Sequence, residues 1–362
     1  MLILIIIVLL LLIYLITVIF FNRGLNKAFN SYTPEADNLK ISIVVAAKNE
    51  ERNIENLIRS FENQEYPKDF FELIIVDDNS RDSTLAKAKS LASDKNNIRV
   101  FSVNKPDSPP KKGALSLGIE NAHHDFIMVT DADCIPLPGW IKSFAGKFRD
   151  GYDFLFGLAP YNQRNNSDIN SVICFENLRS SLLTSAAAGI GMPYSASARS
   201  FGFKKESFNK IQGYKNTLHV TGGDDDLLIQ EALKNNMSIG TVTSLKAFVY
   251  SDPPFTFKEY KAQKIRHTRT SHSYLFKNKL LVGYWHILNL IFLSSILFVP
   301  FSAFFVFPFI LKMITDLVII KKRQSELAYR FDFYEILILQ FIYELLIVFH
   351  FINSFTGTSK WK

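Results

Sequence analysis

The sequence predicts an α/β protein with a mainly parallel sheet flanked by helices, in a chain that also carries membrane-spanning helices. Between residues 41 and 129, short apolar runs alternate with helical patterns, which is the order expected of β-α-β units. Residues 1–21 contain no charged side chain, and about 20 apolar residues are enough to cross a bilayer. A further, mostly apolar block occupies residues 281–354.

The N-terminal segment, residues 1–21, is expected to be a retained transmembrane anchor. It shows neither the basic start nor the small-residue cleavage site of a signal peptide. Arg23 and Lys27 follow it directly, so the positive-inside rule places the N-terminus outside and the next part of the chain in the cytoplasm. Residues 22–39 are polar and contain Pro34, which indicates a linker to an α/β domain at residues 40–257.

The overall charge gives no indication of a nucleic-acid partner, and we expect none. The 362 residues include 41 Lys and Arg against 34 Asp and Glu, a formal net charge of +7, which is a modest surplus. The two cysteines, Cys134 and Cys174, do not form a disulfide framework by number and are compatible with a reducing compartment.

Four buried parallel strands are expected in the first half of this α/β domain, because apolar residues run almost without interruption there. The predicted strands cover residues 41–47, 73–76, 98–103 and 126–129. The second half of this domain has a less regular pattern. It predicts a strand at 154–158, a helix at 168–188, a strand over 196–203 and a helix that ends near Lys234.

The segment at residues 258–280 is basic and aromatic. It contains seven Lys or Arg residues mixed with Tyr and Phe, a composition typical of an amphipathic helix on an anionic membrane surface. A solvated basic helix is the alternative. Its position next to the apolar block favours the membrane surface.

The apolar block at residues 281–354 is predicted to contain about three spans. Pro300 divides a hairpin into two parts, 282–299 and 301–320, and the last span covers 334–352. Lys312 and Asp316 lie inside the second part. Charges at mid-bilayer are unfavourable, so this part either spans the membrane or lies along its interface. Residues 355–362 form a tail whose last four residues, SKWK, are typical of an interfacial anchor.

Two aspartates, Asp131 and Asp133, directly follow the predicted strand at 126–129. Ligands of open α/β sheets bind at the carboxyl ends of strands, and carboxylates there suit a hard divalent cation such as Mg²⁺ or Mn²⁺. Taken alone, Asp-x-Asp more often belongs to a solvated acidic turn. Other charged clusters also fall at strand ends or helix starts, namely Asp77-Asp78, Lys111-Lys112 and Asp224-Asp225-Asp226. Lys111-Lys112 is a natural phosphate site, because it precedes a helix N-terminus.

The order and spacing of these motifs resemble glycosyltransferase family 2, in its membrane-anchored, inverting branch with the GT-A nucleotide-sugar fold. The resemblance covers roughly residues 41–267. Each motif alone is of limited specificity, but six in the right order are specific. They are VAAKNEE at 45–51, VDDNSRDST at 76–84, KGAL at 112–115, TDAD at 130–133, GGDDDL at 222–227 and QKIRH at 263–267.

The resemblance implies a donor site for a nucleotide sugar. Ala46, Ala47 and Glu50 would line the nucleoside pocket, and Asp78 would accept a hydrogen bond from the base, usually uracil. Lys112 would approach the nucleotide or its phosphates.

The Asp-x-Asp motif is implied to hold the sugar and the metal. Asp131 would help to hold the ribose or sugar and is a further candidate metal ligand. Asp133 would bind the divalent cation, Mg²⁺ or Mn²⁺, that bridges the diphosphate.

The catalytic base is implied to lie in the acidic run. The family's Glu-Asp-x-Asp-Leu motif aligns best with residues 223–227, which places the base on Asp224. Asp225 is the alternative, because Gly223 stands where the family has Glu. Asp226 would lie on the acceptor side.

The last motif is implied to complete the donor site and to face the acceptor. Gln263 and Arg266 would support the diphosphate. His267 occupies the position of a Trp that stacks on the acceptor sugar in the family, which argues against a long polysaccharide acceptor. Arg199 would either contact the acceptor or form a structural salt bridge.

The sequence therefore predicts an inverting, hexosyltransferase-type enzyme that is integral to the cell membrane as a multi-pass protein. It would transfer a sugar from a nucleotide sugar to a lipid, lipid-linked or saccharide acceptor at the cytoplasmic face, and the resemblance implies that the donor is a UDP-sugar. A carboxylate would take the acceptor's proton, and the cation would stabilise the leaving diphosphate. The alternatives are a processive polysaccharide synthase and a non-catalytic, membrane-tethered nucleotide-binding protein.

Overall fold

The structure is a computed structural model that describes residues 2–30, 35–103, 110–164 and 167–356. The predicted linker at 22–39 and the predicted tail at 355–362 therefore fall partly outside the described residues, and the SKWK anchor does so completely. The chain forms two compact units that are not continuous in sequence. The membrane unit comprises residues 1–30, 163–192 and 255–357, and the sheet unit comprises residues 31–162 and 193–254.

The helices of the described residues are distributed over both units. The sheet unit contains α2 to α5, α7 and α8, and the membrane unit contains the others. Their bounds are α1 (Leu2–Phe29), α2 (Ile54–Glu62), α3 (Thr84–Ala92), α4 (Lys112–Glu120), α5 (Trp140–Arg149), α6 (Asp168–Gly189), α7 (Lys205–Lys210), α8 (Asp226–Lys234), α9 (Phe257–Thr270), α10 (Phe276–Ser294), α11 (Val306–Arg323) and α12 (Phe333–Asn353).

The strands all belong to the sheet unit. They are β1 (Ile41–Ala47), β2 (Phe71–Asp77), β3 (Ile98–Ser102), β4 (Phe126–Val129), β5 (Cys134–Pro136), β6 (Phe154–Gly157), β7 (Phe201–Lys204), β8 (Ile239–Val242) and β9 (Val249–Ser251). A seven-stranded sheet has the order β3-β2-β1-β4-β7-β6-β8, and β5 and β9 form a separate two-stranded sheet.

The main sheet is mainly parallel, as predicted. β1 pairs in parallel with β2 on one side and with β4 on the other, and every residue of β1 and β2 is buried. Strands buried on both faces read as continuous apolar runs, which is why these strands were recognisable in the sequence. The carboxyl ends of β1, β2 and β4 therefore lie at one edge of the sheet.

One strand departs from the parallel arrangement. β7 lies between β4 and β6 and is antiparallel to both, so its first residue lies at the same edge as the end of β4. The predicted strand at 196–203 is wrong in its first half, because Ser200 N donates to Ser197 O (2.9 Å) in a turn before β7 begins. β5, β8 and β9 have only three or four residues and were not predicted.

The membrane unit contains four helices that are long and apolar enough to cross a membrane, within the residues described. They cover Ile3–Phe29, Phe276–Phe298, Ala303–Leu327 and Phe333–Asn353. The first continues well past the predicted anchor at 1–21, so Arg23 and Lys27 lie on the helix itself. The predicted catalytic domain at 40–257 also differs from the observed sheet unit, because α6 belongs to the membrane unit.

α11 lies beside α1, and the two helices run in the same direction. Tyr14 OH and Thr315 Oγ1 are 2.9 Å apart, and further along both helices Asn26 Oδ1 accepts a hydrogen bond from Arg323. These contacts favour the spanning alternative for the predicted segment at 301–320.

The charges inside α11 are compensated within the bundle. Lys312 Nζ lies 2.8 Å from Asp316 Oδ2, and Arg179 Nη1 on α6 lies 3.0 Å from Asp316 Oδ1. All three residues are buried. Ionisable residues in membrane helices are expected to face the interior and to pair with one another, and this cluster does so.

The basic segment predicted at 258–280 is interrupted. α9 ends at Thr270, and α10 begins at Phe276 after a short 3₁₀ turn at Ser271–Ser273. α9 is held to α6 by polar contacts, because Glu176 accepts a hydrogen bond from Tyr260 OH and its Oε1 lies 3.1 Å from Lys264 Nζ. The basic residues are therefore divided between two helices.

Candidate active site

The site begins at the sheet edge where β1, β2 and β4 end. Ala46 and Ala47 are the last two residues of β1, and Asp78 N donates to Ala47 O (2.8 Å) directly after β2. Asp131 follows β4 by two residues. Because these strands are parallel, the three loops that follow them leave the sheet on the same side.

The loops after β1 and β2 are joined by side-chain to backbone hydrogen bonds. Asn49 N donates to Ser80 Oγ (2.9 Å), and Arg81 N donates to Asn49 Oδ1 (2.9 Å). Asn49 and Asn79 both have a positive φ, 56° and 57°, a conformation that Asn tolerates better than most residues. Hydrogen bonds therefore join the two motifs that were predicted to form the nucleoside pocket, and their loops form one continuous surface.

Glu50 and Asp78 are buried on this surface and have protein partners. Asn53 Nδ2 donates to Glu50 Oε2 (2.7 Å), and Lys48 Nζ lies 3.4 Å from Asp78 Oδ2. Asp77 Oδ2 accepts from Ser80 N (3.2 Å), whereas its Oδ1 is buried without a hydrogen-bond partner among the described residues. The predicted contacts of Glu50 and Asp78 with a nucleoside stay predictions.

Lys111 connects the Asp-x-Asp motif with the acidic run. Its Nζ lies 2.9 Å from Asp131 Oδ1 and 2.7 Å from Asp224 Oδ2. Lys111 precedes α4 and has a φ of 57°, which is unusual for a residue with a side chain. Burial alone would lower the pKa of Lys111, but the charges of Asp131 and Asp224 raise it well above its usual value. The ammonium group therefore stays protonated between two carboxylates.

The ammonium group of Lys112 has different partners from that of Lys111. Its Nζ donates to the backbone oxygens Thr217 O (2.7 Å) and Val220 O (3.1 Å), and the residue is buried. Burial lowers the pKa of Lys112, although the charges of the three aspartates at 224–226 oppose this. Lys112 thus holds the segment before the acidic run in place. The sequence indicated a lysine pair before α4, but only the structure shows that Lys111 is the one that reaches both carboxylates.

The acidic run begins with two glycines in the left-handed region. Gly222 has a φ of 90° and Gly223 a φ of 69°, and a Cβ on Gly223 would lie 2.6 Å from Leu227 Cγ. A side chain at position 223 would be both strained and crowded, which explains why glycine stands where the family motif has Glu.

The three aspartates after these glycines differ in their surroundings. Asp224 is buried and faces Lys111. Asp225 Oδ2 accepts a hydrogen bond from Ala198 N (2.6 Å), and Asp226 Oδ1 accepts from Leu227 N (2.8 Å) at the start of α8. Burial raises the pKa of Asp225 well above its usual value, and the charges of Asp226 and Asp224 add to this. Burial therefore favours the protonated form of Asp225.

A group of possible metal ligands lies at the Asp-x-Asp motif. Ligand atoms of Asp131, Asp133 and Cys134 lie within 4.8 Å of one another, and Asp133 is exposed. Burial raises the pKa of the Cys134 thiol well above its usual value, and the charges of Asp133 and Asp131 act in the same direction. A thiol is a soft ligand, whereas Mg²⁺ and Mn²⁺ prefer oxygen. The two carboxylates therefore fit a hard divalent cation, which Asp131 and Asp133 would hold.

Arg199 also lies at this sheet edge, just before β7. Its backbone oxygen accepts from Thr130 Oγ1 (2.7 Å), and its Nη1 donates to Ser251 Oγ (2.7 Å). The guanidinium carbon lies 4.2 Å from the centre of the Tyr161 ring. The sequence left open an acceptor contact or a salt bridge for Arg199, and the structure adds a cation–π contact.

Gln263, Arg266 and His267 lie on α9 in the membrane unit. They share one face of this helix, because residues three and four positions apart are neighbours on a helix surface. Gln263 Oε1 is buried without a hydrogen-bond partner among the described residues. Their roles toward the diphosphate and the acceptor stay predictions.

The comparison with protein families decides what kind of domain this is. Residues 42–212 match the model of glycosyl transferase family 2. Residues 42–212 belong to glycosyltransferase family 2. This segment contains β1 to β4 and the loops that carry Asp78, Lys111 and Asp131.

Curated relatives resemble parts of the family 2 domain. A GalNAc(5)-diNAcBac-PP-undecaprenol beta-1,3-glucosyltransferase of Campylobacter jejuni is 31% identical over 127 residues, which are 35% of this chain and 40% of that protein. A beta-monoglucosyldiacylglycerol synthase of Trichormus variabilis is 39% identical over 93 residues, 26% of this chain and 20% of that protein. The chain thus matches less than half the length of these relatives.

A solved structure extends the comparison to nearly the whole fold. A mannosyltransferase of Pyrobaculum calidifontis, in complex with GDP-Man and Mn²⁺, has a TM-score of 0.55 at 15% identity, over 93% of this chain and 96% of that chain. At this identity the similarity concerns the fold alone. It confirms the prediction that the family 2 domain has a GT-A fold.

Proposed function

We propose that this chain is a membrane-bound glycosyltransferase that transfers a sugar from a nucleotide sugar to a lipid or lipid-linked acceptor. The observation that carries this proposal is the link Asp131–Lys111–Asp224 at the sheet edge of a family 2 domain. It brings the Asp-x-Asp motif, a cation and a second carboxylate into one place. A transferase needs these three kinds of group for a diphosphate leaving group and an acceptor hydroxyl.

The acceptor class is supported by the relatives and by the membrane helices. By their names, the Campylobacter jejuni relative acts on an undecaprenol-linked saccharide and the Trichormus variabilis relative makes a glucosyldiacylglycerol. The four candidate spans of this chain would keep it at a membrane that supplies such lipids. We propose the cytoplasmic face as the side of transfer, because Arg23, Lys27 and Lys321 to Arg323 lie near the ends of apolar helices and basic residues favour that side. We propose a UDP-sugar as the donor, because the family resemblance implies that Asp78 binds uracil.

In the proposed mechanism Asp224 is the general base. The acceptor hydroxyl attacks the anomeric carbon of the donor and loses its proton to Asp224, and the bond to the diphosphate breaks. Lys111 pairs with Asp224 and with Asp131, a position from which it would approach the leaving phosphates, so we assign it the role predicted for Lys112. Because only one carboxylate serves the acceptor, direct displacement inverts the anomeric configuration.

The carboxylates Asp131 and Asp133 would hold a divalent cation. When bound, this cation stabilises the negative charge that develops on the diphosphate. Burial raises the pKa of Asp225 well above its usual value, and a carboxyl group that already carries a proton cannot act as the base. Instead Asp225 holds the turn at Ala198 through its hydrogen bond to the backbone.

The experiment is a donor screen with the full-length protein purified in detergent. Release of nucleotide is measured for a panel of nucleotide sugars with Mn²⁺ or Mg²⁺, with membrane lipid extract as acceptor, and products are analysed by mass spectrometry. We expect one donor to give a lipid that carries one added sugar, and the Asp224→Asn variant to give none.

Other outcomes of this screen select the alternatives. A ladder of polymer lengths would identify a processive synthase. Binding of nucleotide without transfer or hydrolysis, together with an Asp224→Asn variant that behaves like the wild type in cells, would identify a non-catalytic nucleotide-binding protein.

A further inference from the structure

An open groove lies beside the C-terminal half of α1 in the membrane unit. Its volume is about 630 Å³, and its lining residues are Phe20, Arg23, Asn26, Lys27, Gly189 and Ile190. This size falls within the range of roughly 300–1,000 Å³ found for small-molecule sites. The groove is distinct from the site in the sheet unit, and the proposed transfer does not depend on it.

One lining residue, Gly189, belongs to a close backbone crossing of α1 and α6. A Cβ on Gly24 would lie 2.1 Å from Ala186 O, and a Cβ on Gly189 would lie 2.0 Å from Gly24 O. The two helices can approach this closely only because both positions are glycine, as in other membrane helix pairs. Larger side chains on either side of the crossing then form the walls.

The walls combine apolar and cationic groups. Phe20 is 53% exposed and Ile190 is 38% exposed, and both carry large apolar side chains. Arg23 and Lys27 are exposed and four residues apart on one face of α1. Among the described residues neither forms an ion pair, whereas the neighbouring Arg323 is bound to Glu326 at 2.8 Å and to Asn26.

The position of the groove along α1 corresponds to the membrane surface. The uncharged stretch of the chain ends at Phe21, and the first cation is Arg23. Cations at this depth attract anionic lipid headgroups, and a guanidinium group suits the oxygens of a phosphate. An apolar wall next to two cations without ion-pair partners is complementary to a lipid that has both a phosphate and hydrocarbon chains.

We propose that the groove between α1 and α6 binds a phospholipid with a net negative headgroup, with the phosphate at Arg23 and Lys27 and the upper part of a chain against Phe20 and Ile190. Both halves of the groove contribute, so binding requires the shape of the groove as well as its charge. Nothing in this binding involves a covalent step.

The test measures lipid binding to the full-length protein in a neutral detergent. The probes are fluorescent phosphatidylglycerol and phosphatidylcholine with the same acyl chains. We expect tighter binding of phosphatidylglycerol to the wild type. The Arg23→Gln, Lys27→Gln double variant should bind phosphatidylglycerol about 30-fold more weakly, the loss expected if each cation contributes about 1 kcal/mol.

Two further variants separate the groove from general electrostatic attraction. The Lys89→Gln, Lys210→Gln variant removes the same charge from exposed positions in the sheet unit and should bind like the wild type. The Ile190→Trp variant keeps every charge but fills the groove, and it should lose binding. Equal losses in the two double variants, or full binding by Ile190→Trp, would overturn the proposal.

An inorganic phosphate arm distinguishes a lipid from a free anion. Millimolar inorganic phosphate at constant ionic strength should not displace phosphatidylglycerol, because inorganic phosphate has no hydrocarbon chain to contact Phe20 and Ile190. Displacement by inorganic phosphate at the same concentration as by a soluble short-chain phosphatidylglycerol would show a simple anion site and refute lipid binding. Unchanged thermal stability of each variant confirms that the comparison concerns folded protein.

Discussion

Asp131 and Asp224, which follow different elements of the sheet unit, bind the same ammonium group. Lys111 Nζ lies 2.9 Å from an oxygen of the first and 2.7 Å from an oxygen of the second. A cation between two carboxylates offsets the repulsion between their negative charges. Lys111 therefore fixes the place of the proposed base relative to the Asp-x-Asp motif.

The first prediction compares the two adjacent lysines. Lys111→Met should lower kcat/KM for transfer by about 10²-fold, the order seen when one charge-stabilising group is removed. Lys112→Met should act mainly on folding, because its ammonium group satisfies the backbone oxygens of Thr217 and Val220. We expect a loss of about 1–3 kcal/mol in stability. Transfer assays and thermal melts of both variants measure the difference.

A larger loss of transfer in Lys112→Met than in Lys111→Met, at equal folded fraction, would return the phosphate role to Lys112. The two variants change the same side chain at neighbouring positions, so each is the control for the other.

The second prediction concerns the identity of the base. Asp224→Asn should keep nucleotide binding and lose transfer by about 10²–10⁴-fold. Asp225→Asn should keep transfer, because an amide oxygen can still accept the hydrogen bond from Ala198 N. Isothermal titration with nucleotide and a transfer assay separate the two effects. Loss of transfer in Asp225→Asn alone would move the base by one residue.

The third prediction is the pH dependence of stability at Asp225. Its pKa in the folded protein is raised well above the usual value, so the protonated form is favoured by folding. This contribution to stability is complete below the unfolded-state pKa of about 3.9 and is lost as the pH rises through the folded-state pKa. Asp225→Asn, which resembles the protonated form, should therefore be at least as stable as the wild type at neutral pH.

Melting temperatures of the wild type and of Asp225→Asn between pH 4 and pH 8 measure this effect. The variant should show the weaker decline with rising pH. A steeper decline in the variant would contradict the raised pKa.

The fourth prediction concerns the divalent cation. Asp133→Ala should abolish the increase in nucleotide affinity that Mn²⁺ provides, because an oxygen ligand is removed. Cys134→Ala is the matched control, since its thiol is buried and protonated, and it should keep the increase. If Mn²⁺ raises nucleotide affinity as much in Asp133→Ala as in the wild type, or raises it in neither protein, this role of Asp133 is excluded.

The fifth prediction tests the charge cluster of the membrane unit. Asp316→Asn leaves Lys312 and Arg179 without their closest counter-charge, and removal of one partner from a buried ion pair typically costs about 3–5 kcal/mol. We expect a lower melting temperature in detergent. The Lys312→Met, Asp316→Met double variant should lose less, because Arg179 keeps Glu344 nearby. A single variant as stable as the wild type would show that the cluster is not needed for folding.

The parts of the fold that could be predicted are those that local patterns record. β1 and β4 have the predicted bounds, because a strand buried on both faces is apolar at nearly every position. The short strands β5, β8 and β9 and the turn before β7 could not be predicted, since segments of three or four residues are stabilised by their partner strands.

The sequence by itself determined the α/β class, the four apolar helices, the Asp-x-Asp motif and the order of motifs that identifies the family, because burial and turn chemistry leave local patterns in composition. Only the tertiary structure decided which of two adjacent lysines joins Asp131 to Asp224, and that Asp316 pairs with Arg179 on a distant helix. Such choices depend on the direction of a side chain at a particular backbone conformation, as at Lys111 with its φ of 57°. They also depend on contacts between residues far apart in the chain, which no local pattern records.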